Sequence, residues 1–288
     1  MRCVCILGVL LFWSMSPGAA SPFETDMSVS VLKRFESGPQ KKNEVFLAAP
    51  KRLDPGPVTV VLYLHGLLGG ETFADTLKRQ RVAAQVFGAQ ANAVVIAPHF
   101  QEQVLVKRKR KKRAERRVVF KDFSAFATPR GFGAFMKEAH SELARITGEP
   151  AERFRDARLV VVAYSMGHAP ARALFTNGAG SFESVLMLDA AYRSQRAFAR
   201  KASAIAKQNS GLFVHAHSLL TEARGEEFRE LLEDADVPFR ETIISGERHC
   251  GIISIRVEGE NVNHYDFVTR AWTDDPITSF LRVRCAKQ

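Results

Sequence analysis

The segment VVVAYSMGHAP, residues 160–170, ends an apolar run on Ser165, with small residues, Ala163 and Gly167, two positions away on either side. A helix-forming stretch from Ala169 to Phe175 follows. Strand, sharp turn and helix put a hydroxyl at a corner, where it can act as a nucleophile; the alternative is one more serine closing a buried strand. A small-x-Ser-x-Gly match alone is frequent by chance, and the strand before it and helix after it give it weight. A serine attacks a carbonyl only if a base within hydrogen-bond reach takes its proton, and that base needs an orienting carboxylate. The late histidines are His264 in NVNHYDFVTRAW and His249 in GERHCG; the carboxylates are Asp189, closing SVLMLD, and Glu222, after GLFVHAHS. A carboxylate at a strand's carboxyl end opens toward the crevice above a parallel sheet, although an Asp there is also a common helix N-cap. Asp189 and His264 are the leading pair, with Glu222 the alternative acid and His249 the alternative base.

These residues need a frame. VTVVLYL (58–64), AVVIAP (93–98), RLVVVAY (158–164), SVLMLD (184–189) and GLFVHAH (211–217) are near-continuous apolar runs, the pattern of strands buried on both faces of a parallel sheet. Helical patterns lie between them, roughly over 72–88, 130–147, 167–176, 194–208 and 222–233. This βαβα order predicts α/β architecture, an open, mostly parallel sheet flanked by helices. SVSVLKRF (28–35) and NEVFLAA (43–49) read as an antiparallel edge hairpin, ETIIS (241–245) and GIISIRV (251–257) as later extended segments, and 276–284 as a closing helix.

On these motifs the chain resembles the α/β-hydrolase superfamily. Ala163-Tyr-Ser165-Met-Gly167 is similar to the G-x-S-x-G nucleophile elbow, with Ala in the first small position. The resemblance implies a Ser–acid–His order along the chain, with Ser165, Asp189 and His264 as the triad. It also implies an oxyanion hole formed by the Met166 N–H and by the loop LYLHGLLGG (62–70), whose Leu67 N–H is the second donor and Leu68 N–H the neighbouring option. The strand before that loop is expected two places from the elbow strand. Gly66, Gly69 and Gly70 let this loop turn close to a substrate, while an ordinary glycine-rich turn is the plainer alternative; His65 reads as structural. The stretch from His264 to Trp272, with the 274–276 turn, resembles the histidine loop and final helix of a bacterial branch. The implied activity is serine hydrolysis of an ester, less readily an amide, without metal or cofactor; acyl transfer would use the same residues.

Other features constrain the setting. Arg2, the apolar run Val4–Trp13 and the small residues Pro17 to Ala20 form a signal-peptide pattern over 1–20. The expectation is an exported protein, periplasmic or secreted, whose hydrolase domain is 21–288. Two cysteines remain after the signal, Cys250 and Cys285, and an oxidising compartment would let them pair or leave them as thiols. Net charge is +10, and KRKRKKRAERR (107–117) holds nine Lys or Arg in eleven positions, beginning Lys107, Arg108, Lys109, Arg110, Lys111, Lys112 and Arg113. This basic insertion is either a solvated loop or an electrostatic attachment to an acidic polymer or membrane surface. It lacks interleaved aromatics and carries no base-stacking signal for specific nucleic-acid binding. A non-catalytic relative of the same fold that binds acidic envelope polymers through this run is the competing functional reading. His215 and His217 alternate along one strand and face one side, but without a third ligand of suitable spacing they do not make a metal site.

Overall fold

The computed structural model describes residues 28–35, 43–89, 92–107, 115–121, 123–177, 180–209, 211–244, 246–258 and 262–284. The signal-peptide pattern, residues 108–114 of the basic run and Cys285 lie outside the described residues.

The apolar runs form strands because their β-branched residues fill both faces of one sheet. These strands are β3 (Thr59–Leu64), β4 (Ala93–Pro98), β7 (Arg158–Tyr164), β8 (Ser184–Leu188), β9 (Leu212–His217) and β10 (Gly251–Arg256). With the edge hairpin β1 (Ser28–Arg34) and β2 (Glu44–Pro50) they make an eight-stranded sheet of order β1-β2-β4-β3-β7-β8-β9-β10. The pairs β1–β2 and β2–β4 are antiparallel and the rest parallel. Alternate residues feed opposite sides: Val60, Leu62 and Leu64 join one core, and Val61 and Tyr63 the other.

Helices α3 (Pro129–Thr147), α4 (Ala151–Arg155), α5 (His168–Asn177), α6 (Gln195–Gln208) and α7 (Glu222–Glu233) cover the first face, through Phe132, Phe154, Leu174, Phe198 and Phe228. Helices α1 (Phe73–Arg79), α2 (Val82–Gly88) and α8 (Pro276–Val283) cover the second, through Phe73, Val86 and Phe280. Burying one such aromatic side chain contributes about 1.5–3 kcal/mol, so the sheet is held from both sides.

Several expectations change in the structure. The strand before the glycine-rich loop does not lie two places from the elbow strand: β3 pairs directly with β7, Leu64 opposite Ala163. The chain runs from β3 outward to β4 and then returns to the other side of β3, so the strand order reverses between β3 and β7, and the crevice where ligands bind opens there. The single helix expected over 72–88 is two, because Arg81 takes a left-handed φ of 53° that no continuing helix allows. Residues 241–244 form no strand; Arg240 alone bridges to Ile253. The basic insertion is not simply a loop. Its flanks form an antiparallel pair, β5 (Glu102–Lys107) and β6 (Glu115–Phe120), in a sheet of their own. Cys250 is disulfide-bonded.

Candidate active site

Ser165 follows β7 in a single helical turn, 165–167, that runs into α5. Its φ is 50°, a left-handed conformation that costs a non-glycine residue about 1–3 kcal/mol and persists only where the surroundings enforce it. They do so by close packing. A Cβ added to Gly66 would lie 2.8 Å from Ser165 Cβ, and one added to Gly167 would collide with the Leu64 carbonyl. Ala163 is fully buried against β3. The small residues flanking the serine are therefore required by the approach of the 62–70 loop.

The carboxyl ends of three further strands deliver the partners. Asp189 follows β8, is fully buried, and has φ 45°. His264 lies in a short turn, 264–266, beyond β10, capped by Asn263, whose side chain accepts from the Tyr265 and Asp266 N–H groups at 2.8 and 3.1 Å. Ser165 Oγ is 2.8 Å from His264 Nε2, and His264 Nδ1 is 2.6 Å from Asp189 Oδ2. Beside an ionised Asp189 the network assigns the proton to Nδ1 and leaves Nε2 to accept from the serine. From the end of β9, Ser218 donates its N–H to Asp189 Oδ1 at 3.0 Å and its hydroxyl to Oδ2 at 2.9 Å, and Thr221 donates its hydroxyl to Oδ1. Burial pushes the Asp189 carboxyl up, but bonds from His264, Thr221 and Ser218 outweigh it and hold the group below its ordinary value, ionised.

Tyr164, the residue before the serine, fixes the histidine twice. Its ring stacks on the imidazole at 5.2 Å and its hydroxyl donates to the His264 carbonyl at 2.7 Å. Tyr192, three residues beyond Asp189, reaches the same imidazole from another side. Sequence reading singled out neither tyrosine, nor Ser218 and Thr221, because each acts through a partner distant in sequence. The only local hint was position, each standing at or just past the end of a strand.

The alternatives are placed elsewhere. Glu222 begins α7 and pairs with Arg256 at 2.7 Å. His249 precedes β10, at the amino edge of the sheet, where Arg240 and the Ile244 backbone hold its ring nitrogens. His65 is structural: Nδ1 donates to the Gly66 carbonyl at 2.5 Å and Nε2 accepts from the Phe100 N–H at 3.0 Å. Burial lowers its pKa to about 3, so it is neutral. His215 and His217 stack on each other at 5.2 Å beneath α7, both fully buried. Burial lowers them to about 3 and about 4. In the 62–70 loop the Leu68 N–H is taken by the Glu102 carboxylate, 2.5 Å away at the base of β5.

No sequence-family model matches the chain, and no curated protein matches it. Solved structures do. A thermostable esterase from Pseudomonas putida aligns with a TM-score of 0.50 and 13% identity over 91% of this chain and 84% of that one. A variant of the esterase rPPE aligns with a TM-score of 0.50 and 12% identity, over 91% and 83%. An uncharacterised protein from Capnocytophaga ochracea aligns with a TM-score of 0.46 and 12% identity over 83% of this chain, which spans 62% of that protein's length. With its strand order and its serine turn at the reversal point, the chain has the α/β-hydrolase fold.

Proposed function

We propose that this protein is an exported serine hydrolase that cleaves an ester, and less readily an amide, through an acyl-enzyme formed on Ser165. The observation that carries the reading is the unbroken chain of hydrogen bonds from Ser165 Oγ through His264 to buried Asp189, at 2.8 and 2.6 Å. Three side chains from separate strand ends meet at the crevice of the sheet, and a triad is recognised by such geometry and roles. The esterase names of the aligned structures agree with this class.

In the proposed reaction, His264 Nε2 takes the Ser165 proton as Oγ bonds to the carbonyl carbon. Asp189 holds the ring orientation and stabilises the imidazolium. The carbonyl electron pair becomes an oxyanion held by the Met166 and Leu67 N–H groups, usually the largest electrostatic contribution in such sites. Leu67 is the loop donor of choice because Glu102 occupies Leu68. Collapse breaks the carbon–oxygen bond to the alcohol, which leaves with the proton from Nε2. Water then repeats the sequence, with His264 as base, and releases the acid.

Convergence of the triad favours this reading over the non-catalytic one. Export rests on the pattern at 1–20. The basic run of 107–117 would add salt-dependent attachment to an acidic polymer or membrane surface. The test is labelling of residues 21–288 with a fluorophosphonate. Labelling of the parent that is lost in Ser165→Ala and strongly reduced in His264→Ala is expected. A well-folded parent that does not label would refute the activated nucleophile.

A further inference from the structure

We propose that Tyr192 is a further catalytic residue, a hydrogen-bond donor to the alcohol oxygen that leaves when the tetrahedral intermediate collapses. This rests on the serine hydrolase reading above. The Tyr192 hydroxyl is 3.4 Å from both Nδ1 and Nε2 of His264. An oxygen equidistant from both nitrogens at that range lies above the ring, because an in-plane position would collide with the carbon between them. The two rings are perpendicular, with centroids 6.0 Å apart. The N–H and lone pair of an imidazole lie in its plane, so the hydroxyl competes with neither Asp189 nor Ser165 for them. Its hydrogen is free for an acceptor beside the ring, and Ser165 Oγ lies at that edge, 2.8 Å from the same Nε2 that the Tyr192 hydroxyl approaches to 3.4 Å.

That position has a consequence for the reaction. The leaving oxygen must approach Nε2 in the plane of the ring to receive its proton. The Tyr192 hydroxyl, above the ring and beside Oγ, flanks that point. As Oγ bonds to the acyl carbon it becomes a poorer acceptor, while the departing alcohol oxygen gains the electron pair of the breaking bond and becomes a better one. The hydroxyl then turns to it. Tyr192 keeps its own proton throughout; the proton that leaves with the alcohol is the one His264 took from Ser165. Burial, with the Asp189 charge nearby, raises the phenol to about 12, so it remains a donor across the working range. The His168 ring, 5.7 Å away, packs against Tyr192 and limits its swing.

The test compares an ethyl ester with a 4-nitrophenyl ester of the same acid in the parent and in Tyr192→Phe, which removes only the oxygen. A basic alkoxide needs assistance to leave and a nitrophenoxide does not. For the ethyl ester, kcat/KM is expected to fall by about a hundredfold or more in the variant, in line with loss of one donor at a developing charge. For the 4-nitrophenyl ester it should stay within about threefold. Equal falls on both esters, or no fall on the ethyl ester, would overturn the role of Tyr192. Fluorophosphonate labelling of the parent separates this from failure of the hydrolase reading: an unlabelled parent overturns both, whereas a labelled parent with no leaving-group dependence overturns only this one.

Discussion

Acidification should destabilise this fold by an amount that follows from three buried histidines. His65, His215 and His217 are neutral in the folded chain, lowered by burial to about 3, about 3 and about 4. In the unfolded chain each titrates near its ordinary value, about 6.5. A group with a depressed folded-state pKa contributes its full stability above the unfolded value and loses it as pH falls below that value toward the folded one. At about pH 5.5 an unfolded histidine is some ten-elevenths protonated, which favours the unfolded state by about 1.4 kcal/mol; at about pH 7.5 the effect is under about 0.1 kcal/mol. Three such residues give a loss of about 4 kcal/mol between those conditions, a large share of the roughly 5–15 kcal/mol typical of domains, and half-buried His140, also lowered by burial to about 4, adds to it in the same direction. Asp189, also depressed, loses its contribution only below its unfolded value near 3.8 and stays out of this window. Urea titrations at the two pH values, followed by the fluorescence of half-buried Trp272, measure the difference. His215→Leu should remove about 1.4 kcal/mol of the pH dependence, since neither His215 nitrogen meets a polar partner among the described residues. A total loss below about 1 kcal/mol, or a pH dependence unchanged in the variant, would refute the reasoning.

Asp189→Asn should lower kcat by about ten-thousandfold, because an amide at that position favours the wrong imidazole tautomer, while circular dichroism stays unchanged. Gly167→Ala should destabilise the fold by more than about 3 kcal/mol, since its methyl would strike the Leu64 backbone; thermal unfolding reads this directly. Tyr164→Phe keeps the stack on His264 but loses the hydroxyl bond to its carbonyl, and should cost about 1 kcal/mol, seen as a lower thermal midpoint. Neutralising the charges of 107–117 should weaken retention on an anionic resin in low salt and leave hydrolysis of a small neutral ester unchanged; salt-independent retention would count against attachment through this run.

The serine turn was legible because everything it needs is local: an apolar strand, small residues at two positions and a helix start all fall within about a dozen residues. Asp189 was legible as a strand-end carboxylate, but its preference over Glu222 rests on Ser218 and Thr221, which wait at the end of the neighbouring strand. His249 and His264 both come late enough in the chain. What separates them is the side of the sheet: His249 enters β10 at the amino edge, and His264 follows it at the carboxyl edge. The basic run showed its charge plainly. The strands flanking it have only weak local patterns, and their pairing is a matter of register between 102–107 and 115–120.

The sequence by itself determined the parallel sheet, the corner on which Ser165 stands and the short set of partners it could have, since hydrophobic runs and small residues act on their own neighbours. Tertiary structure alone decided that β3 lies against β7, that Glu102 takes Leu68 N–H, and that Tyr164 and Tyr192 converge on one imidazole. Those contacts join residues from 34 to 100 positions apart, and at such separations it is the sheet order, not any local spacing, that sets who meets whom.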